Sequence, residues 1–387
     1  MTDLAQTIDL LDRLVAFPTV SADSNIEMIA ALAERLEDAG ARCDIMLDHG
    51  GHKANLFATI GPDAPGGIVL SGHSDVVPVA DQPWTSDPFA LRHDGQHLFG
   101  RGTCDMKGFI ACAVAMAPVF ADRPLARPIH FAFTHDEEVG CLGARALCAA
   151  LADRDIRPAM AIIGEPTEMQ VIDGHKGCCE YSTHFTGLEG HGSDPDRGVN
   201  AVEHAARYVM RLMDLRDRLR ARAPQPPAFD PPHTTINVGG LTGGVGHNVI
   251  AGRARIDWEM RPVQPGDAQF VHDDLDRFCT TVLLPAMRAI HLGATIDTEV
   301  VGEVAGLSPA TTNAARDLMV ALTGRNDVGT VPFGTEAGLF QALGMSAVVC
   351  GPGSIAQAHK ADEFIEIAQI DQCLGWLGRL ADRACTA

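Results

Sequence analysis

Hydrophobic positions along the chain follow two different periods. Short, continuous apolar runs bounded by glycine, proline or polar residues are typical of buried strands. Apolar residues also recur at helical spacing between these runs, and a glycine such as Gly40 is typical of a helix end. The clearest strands are Ile68–Leu70, Ile129–Phe133, Ala161–Ile163 and Ala347–Val349, and the clearest helices are Asn25–Ala39 and Cys104–Val119. This alternation predicts an α/β fold, a mostly parallel sheet with helices on both faces.

A different order of elements interrupts this pattern in the middle of the chain. The order there is strand, helix, two strands, helix and strand, which predicts an α+β sandwich of the ferredoxin-like type. The predicted elements are Tyr181–Phe185, Ala201–Arg222, Thr234–Val238, Ala254–Met260, Ala268–Ile290 and Thr295–Val301. Because 387 residues exceed what one core usually serves, we expect two domains. Residues 1–177 and 303–387 would form the catalytic domain, and residues 178–302 an inserted lid and dimerisation domain.

Composition narrows the classes of partner. The chain has 30 Lys and Arg against 50 Asp and Glu, a net charge of −20, which argues against nucleic acid or an anionic membrane as a partner. The N-terminal residues lack the pattern of a signal peptide, and the longest apolar stretch, around Ala111–Phe120, is too short to span a bilayer. We therefore expect a cytoplasmic protein whose 11 cysteines are reduced thiols.

Histidine and acidic residues follow the predicted strands or begin a predicted helix. Because open α/β sheets assemble their sites at the carboxyl ends of strands, we expect these segments to converge. The five segments are Gly72-His73-Ser74-Asp75, Gly100 to Gly108 around Asp105, His135 to Gly140 around Glu137 and Glu138, Gly164-Glu165-Pro166-Thr167, and Gly351 to Lys360 around His359.

Each segment taken alone also has an ordinary explanation. His73 with Asp75 two residues later is as typical of a surface turn as of a metal site, in which the carboxylate would orient the imidazole. Asp105 at a helix start is typical of a cap. Glu137 and Glu138 could be a solvated charge run, although adjacent carboxylates after a buried strand repel each other unless a cation or a shared proton relieves them. Together, imidazole and carboxylate ligands without thiolate suit zinc, cobalt or manganese.

With these segments the sequence resembles the M20 family of metallopeptidases and deacylases over nearly its whole length, and within the family the acetylornithine deacetylases. The resemblance rests on GHSD, GRGTCDMKG, DEEVG, GEPT, the run Pro332 to Gly338, and GPGSIAQAHKADE, which ends at Glu363. Ala361 departs from the family, which commonly has proline at this position.

The resemblance implies an amidohydrolase with two divalent metal ions, zinc or alternatively cobalt. It would release the acyl group of a small N-acyl amino acid, most specifically converting N2-acetyl-L-ornithine to L-ornithine and acetate in arginine biosynthesis. The implied roles are Asp105 bridging both metals, His73 and Glu165 completing one site, Glu138 and His359 the other, Glu137 as general base and Asp75 orienting His73. It also implies a cis peptide bond between Asp105 and Met106.

For the inserted domain the resemblance implies a homodimer, in which His191 helps to stabilise the oxyanion across the interface. A histidine satisfied by its own loop is the alternative. Arg261, Asn248 and Lys176 match positions that hold the substrate carboxylate, and Glu336 is a candidate for the substrate's side-chain ammonium. For each of these, a surface or interdomain ion pair is the alternative.

Other functions remain open at this stage. Within the enzyme class these are a broader N-acyl-amino-acid deacylase, a succinyl-diaminopimelate desuccinylase and a carboxypeptidase of the same fold. Outside that class, the chain could be a catalytically silent metal- or amino-acid-binding protein or a structural dimer, since a fold alone does not establish activity. Glu137 disfavours the binding protein, which has no need of an unliganded carboxylate beside its metals. A structural dimer would leave the energetic cost of the clustered acids unexplained.

Overall fold

A computed structural model describes residues 4–154 and 157–385, which divide into two compact units. The first contains the described residues up to 174, residues 307–330 and the described residues from 335 onwards, and the second contains residues 175–306 and 331–334. The sequence predicted boundaries after residues 177 and 302, a few residues away from these.

An eight-stranded sheet forms the centre of the first unit. Its four middle strands are parallel, and the strands outside them whose pairing is resolved run antiparallel to their neighbours. In spatial order the strands are Arg42–Leu47, Ala54–Ile60, Ile129–Thr134, Ile68–His73, Met160–Pro166, Ser346–Gly351, Val171–His175 and Val328–Val331. The predicted α/β class is confirmed, and the parallel arrangement holds for the four strands that carry the site.

Helices cover this sheet and supply much of a large apolar core. They are Leu4–Val15, Ile26–Asp38, Gly108–Ala115, Ala117–Ala121, Leu142–Asp153, Ala314–Thr323, Ala337–Ala342 and Ile367–Arg383. A separate three-stranded sheet consists of Phe364–Glu366, His97–Phe99 and Arg92–His93.

The helix predicted at Cys104–Val119 starts later than expected. Asp105 and Met106 have non-helical backbone angles and are joined by the expected cis peptide bond, so regular helix begins at Gly108. The segment Thr103–Ala121 is 19 residues long, which is longer than the apolar run that the sequence indicated, and its most apolar part has a mean hydropathy of 1.5. Of that part, 83% is buried inside the protein, as in a core helix.

The second unit is an antiparallel four-stranded sheet with helices packed on it. In chain order its main elements are Cys178–Thr186, Ala201–Ala221, Thr235–Gly243, Arg253–Arg261, Asp267–Phe278, Leu284–Arg288 and Thr295–Val304. In spatial order these strands are the second, the third, the first and the fourth. This strand order is the ferredoxin-like arrangement that the sequence predicted. A short pair, Gly190–His191 and Val249–Ile250, lies outside this sheet.

Candidate metal centre

The carboxyl ends of the parallel strands bring the predicted ligands together. His73 ends the strand Ile68–His73, and Glu165 lies near the end of Met160–Pro166. Asp105 lies in the irregular turn Thr103–Lys107, and its carboxylate contacts two imidazoles instead of capping a helix. The convergence expected from the sequence is therefore present in the first unit.

Asp105 stands between two groups of side chains. Its Oδ1 is 2.9 Å from Nε2 of His73, and its Oδ2 is 3.3 Å from Nε2 of His359. Nε2 of His73 is 3.6 Å from Oε1 of Glu165, and Nε2 of His359 is 3.1 Å from Oε2 of Glu138. Each carboxylate oxygen of Asp105 thus faces a different set of ligand atoms.

These distances fit cations held between the side chains. Ligand atoms at about 2.0–2.2 Å from one tetrahedral zinc ion lie roughly 3.3 Å apart, and the four separations above bracket that value. Ligand atoms of His73, Asp105 and Glu138 also lie within 4.8 Å of one another, as do those of His73, Glu137 and Glu165. The donor set is imidazole and carboxylate throughout, which suits zinc, cobalt or manganese.

The electrostatics of the cluster also call for positive charge. Burial, together with the neighbouring Asp105, raises the pKa of Glu138 and that of Glu165. Hydrogen bonds to Asp105 and Glu138 raise the pKa of His359 to about 10. Burial opposes ionisation of Asp105, but hydrogen bonds from His359 and His73 hold its pKa below the usual value. The buried carboxylates of this cluster therefore need positive charge nearby, which divalent cations would supply.

Among the described residues, Glu137 is the carboxylate of this cluster that does not lie within ion-pair distance of His73 or His359. Its carboxyl is 3.5 Å from Sγ of Cys141, and the residue is partly exposed. Burial of the carboxyl, with Glu138 and Glu336 nearby, raises the pKa of Glu137. A carboxylate beside the ligands but not engaged by them is what a proton shuttle requires.

Asp75 contacts His73 differently from the expected way. Nδ1 of His73 is 2.9 Å from the backbone carbonyl oxygen of Asp75 and 3.6 Å from its Oδ1. The carbonyl oxygen is therefore the nearer acceptor for the imidazole. The carboxylate of Asp75 accepts hydrogen bonds from the backbone N–H groups of Glu137 and Glu138.

Glu363 is a functional candidate that the sequence did not single out. Its Oε1 accepts hydrogen bonds from the backbone N–H groups of Cys104 and Asp105, at 2.9 and 3.0 Å. Its Oε2 accepts from the N–H of Gly102 at 3.0 Å and from Arg101 at 2.7 Å. One buried carboxylate thus fixes the turn that presents Asp105, and its place at the end of the last sequence motif was the only signal.

The carboxylate of Glu336 is buried and already hydrogen-bonded, so in this structure it is not free to bind the substrate's ammonium. The residue is 1% exposed, and its two oxygens accept hydrogen bonds from Ser71 and Thr134. Both partners belong to the central sheet. Burial raises the pKa of Glu336.

The remaining predicted residues lie in the second unit, in two pairs. His191 and Asn248 are exposed neighbours, and the carbonyl of Asn248 accepts the N–H of Gly192 at 2.7 Å. Nδ1 of His191 is 2.7 Å from Oγ of Ser193, a contact within its own loop.

Lys176 and Arg261 form the second pair. The residues that follow them in the chain are hydrogen-bonded to each other, the N–H of Gly177 donating to the carbonyl of Pro262. Burial lowers the pKa of Lys176, whose Nζ donates to the carbonyl of His233 at 3.2 Å. Arg261 donates two hydrogen bonds to Glu259, at 2.8 and 3.1 Å. In this structure its guanidinium is therefore engaged by an acid of its own strand.

Comparison with known proteins identifies the family. The model of peptidase family M20/M25/M40 matches residues 69–383. An acetylornithine deacetylase of Proteus mirabilis is 38% identical over 98% of this chain and 97% of its own length. One from Yersinia pseudotuberculosis is 36% identical over the same shares of the two chains.

Solved structures show the same fold at low sequence identity. An M20 family metallo-carboxypeptidase from Sulfolobus solfataricus superposes with a TM-score of 0.78, at 16% identity over 99% of this chain and 100% of its own. A dinuclear metal-binding M20 peptidase from Bacillus subtilis has a TM-score of 0.67, at 17% identity over 98% and 97% of the two chains. The chain therefore belongs to peptidase family M20/M25/M40, as the sequence predicted, and is an enzyme of the hydrolase class.

Proposed function

We propose that this enzyme hydrolyses N2-acetyl-L-ornithine to L-ornithine and acetate, with two divalent cations held by its imidazole and carboxylate cluster. The observation that carries the proposal is the position of Asp105, whose two oxygens face His73 on one side and His359 on the other. Only a carboxylate placed in this way can be shared by two cations. Similarity to acetylornithine deacetylases supports the choice of substrate.

In the proposed metal centre, His73, Asp105 and Glu165 would hold one cation, and Asp105, Glu138 and His359 would hold the other. Zinc is the proposed metal, with cobalt as the alternative, because both accept nitrogen and oxygen ligands. The bound cations supply Lewis acidity for water and for the acyl carbonyl.

Glu137 performs the proton transfers in the proposed mechanism. As a carboxylate it takes a proton from the attacking water, and as the acid it then returns that proton to the leaving amine. Both steps need a group that no ligand contact immobilises, and Glu137 has this freedom. Its pKa, raised by burial, also suits a group that must hold a proton during part of each turnover.

In the second unit, the proposed roles concern the substrate and the oxyanion. Arg261, Asn248 and Lys176 would bind the substrate carboxylate, for which the planar guanidinium of Arg261 is well shaped. Arg261 would then exchange its contact with Glu259 for one with the substrate. His191, exposed in its loop, would donate to the oxyanion across a homodimer formed by residues 178–302.

The test is a substrate panel on protein stripped of metal and refilled with zinc or cobalt. The panel contains N-acetylornithine, N-acetylmethionine, an N-formyl amino acid, succinyl-diaminopimelate and a dipeptide. We expect the highest kcat/KM for N-acetylornithine, and no turnover without metal. A higher kcat/KM for any other compound would replace the proposed substrate.

A variant of the base tests the mechanism. Glu137→Gln keeps the shape of the side chain but cannot accept the proton, so we expect it to retain both metals and to lose a factor of roughly 100 or more in kcat. Glu34→Gln, at an exposed helix position, is the matched control and should behave as the unaltered enzyme. Near-normal turnover in metal-loaded Glu137→Gln would refute the assignment.

A further inference from the structure

Glu336 is a buried carboxylate that has no ion-pair partner among residues 4–154 and 157–385. It is 1% exposed, its Oε2 accepts a hydrogen bond from Oγ of Ser71 at 3.1 Å, and its Oε1 accepts one from Oγ1 of Thr134. Both donors are neutral hydroxyls. A carboxylate removed from water in this way is unfavourable unless an opposite charge lies close to it.

The two hydroxyls belong to the strands that carry the metal centre. Ser71 precedes His73 by two residues in the strand Ile68–His73, and Thr134 ends the parallel neighbour Ile129–Thr134. His73 and Thr134 are paired in register. The loop from His135 to Glu138 starts directly after Thr134, so one carboxylate joins the end of the strand bearing His73 to the start of the loop bearing Glu138.

The charged groups near Glu336 belong to the metal centre. The imidazole of His73 lowers the pKa of Glu336, and Asp75 raises it. Glu336 therefore lies close enough to the ligand cluster to interact with its charges, and cations held there would balance its carboxylate.

We propose that Glu336 is a positioning residue of the metal centre: its carboxylate holds the strand ends through Ser71 and Thr134, and the bound cations balance its charge. This role differs from contact with the substrate's ammonium, because both oxygens are engaged and the side chain is buried. The proposal rests on the proposed metal centre but not on the identity of the substrate.

The experiment compares Glu336→Gln with the unaltered enzyme in two states. Zinc affinity is measured by competition with a chromophoric chelator, and the absorption spectrum is recorded with cobalt in place of zinc. Loss of a residue that hydrogen-bonds a metal ligand directly weakens affinity by roughly 10- to 100-fold. Because Glu336 acts through Ser71 and Thr134, one contact further out, we expect a loss of up to about 10-fold with an altered cobalt spectrum. The metal-free variant should unfold at a denaturant concentration equal to or above that of the metal-free enzyme, because an unbalanced buried charge has been removed.

Two further variants complete the test. Thr134→Val removes one hydroxyl with little change of shape and should weaken zinc binding less than Glu336→Gln does. Glu34→Gln, exposed and remote in sequence, should leave zinc binding unchanged.

The possible outcomes are distinct. Zinc affinity unchanged in both Glu336→Gln and Thr134→Val would overturn the inference, as would a raised KM for N-acetylornithine but not for N-acetylmethionine at unchanged zinc affinity. If the unaltered enzyme itself bound no zinc, the proposed metal centre would fail, and this inference with it. If zinc bound but N-acetylornithine were not hydrolysed, the substrate alone would be wrong.

Discussion

The carboxylate of Asp75 accepts a hydrogen bond from the backbone N–H of Glu137, with Oδ1 and N 3.1 Å apart. Its Oδ2 accepts from the N–H of Glu138 at 3.3 Å and from Oγ of Ser21 at 2.7 Å. The carbonyl oxygen of Asp75 also contacts His73. Asp75 therefore connects the proposed base, Glu137, with two proposed metal ligands, His73 and Glu138. The positions of His73, Glu137 and Glu138 are therefore coupled through one residue, by its carbonyl oxygen on one side and its carboxylate on the other.

Replacing Asp75 should accordingly affect metal binding and turnover together. Asp75→Asn retains one acceptor oxygen and presents an amide to the remaining N–H donors, so we expect zinc affinity to fall roughly 10- to 100-fold and kcat to fall even at saturating zinc. Chelator competition and steady-state rates measure the two effects. Ser21→Ala removes only one donor to the same carboxylate and should have a smaller effect on both. Normal kcat at saturating zinc in Asp75→Asn would contradict the coupling.

The turn that presents Asp105 should depend on Glu363. Glu363→Gln places an amide where the N–H groups of Cys104 and Asp105 now donate to a carboxylate. It also removes the anion that pairs with buried Arg101, and breaking a buried ion pair costs about 3–5 kcal/mol. We expect a lower free energy of unfolding and incomplete metal occupancy, measured by denaturant titration and elemental analysis. Asp362→Asn, the partly exposed neighbour, keeps its acceptor for Thr85 and should change neither quantity. Full occupancy and unchanged stability in Glu363→Gln would exclude this role.

Gly164, directly before Glu165, is restricted by packing. A Cβ at this position would lie 2.0 Å from Cγ of Phe109, a core residue that is 1% exposed. Gly164→Ala should therefore destabilise the protein by roughly 1–3 kcal/mol or more and displace Glu165. The matched control is Gly378→Ala in the helix Ile367–Arg383, where a Cβ would have no atom within 4 Å. This substitution should stabilise the protein by about 0.5–1 kcal/mol. Thermal unfolding of the two variants, with opposite shifts expected, is the measurement.

Asp274 should make the stability of the second unit pH-dependent. Its buried carboxylate accepts hydrogen bonds from Arg211, Arg218 and Arg277. Burial opposes ionisation, but the hydrogen bonds from Arg211 and Arg218 keep its pKa below the usual value. Because the folded-state pKa is the lower one, the stabilisation is present above the unfolded-state pKa of about 3.9 and is lost as the pH falls through the folded-state value.

Asp274→Asn should therefore reduce stability at pH 7 by roughly 1–3 kcal/mol. This is less than for a fully buried pair, because the arginine side chains are 29–62% exposed. The difference from the unaltered protein should shrink below about pH 4. Hydrogen exchange in the helix Asp267–Phe278 reports it, and exposed Asp273→Asn is the control. A difference that grew on acidification would contradict the assignment.

The proposed homodimer has a candidate surface on the second unit. Met210 and Met213 on the helix Ala201–Ala221 are 64% and 40% exposed, and Leu241 in the outer strand Thr235–Gly243 is 44% exposed. We expect the enzyme to sediment as a dimer, and Met210→Lys with Met213→Lys to sediment as a monomer. Leu292→Lys, at a residue that is 87% exposed elsewhere in the same unit, should remain a dimer. A monomeric unaltered enzyme would remove both the dimer and the proposed role of His191 across it.

The local sequence pattern was sufficient to predict much of the fold. The helix and strand periods located the elements that they predicted within a few residues, since burial of an apolar stripe is decided by the residues that form it. Four strands of the central sheet were not predicted: Arg42–Leu47, Ala54–Ile60, Val171–His175 and Val328–Val331. Motifs at strand ends indicated where His73, Glu138 and Glu165 would meet, since parallel strands end at one edge of the sheet.

Contacts between distant residues could not be read in this way. Glu363 lies 258 positions from Asp105, and Glu336 lies 265 from Ser71. Neither carboxylate carries a local sign of burial, and the sequence offered Glu336 only as a candidate for the substrate's ammonium, with an ion pair as the alternative. The sequence by itself determined the fold class and the family, and it proposed the residues of the metal cluster. Only the tertiary structure decided which acids are buried and which N–H and O–H groups hold them, because desolvation and hydrogen bonding depend on how remote segments pack.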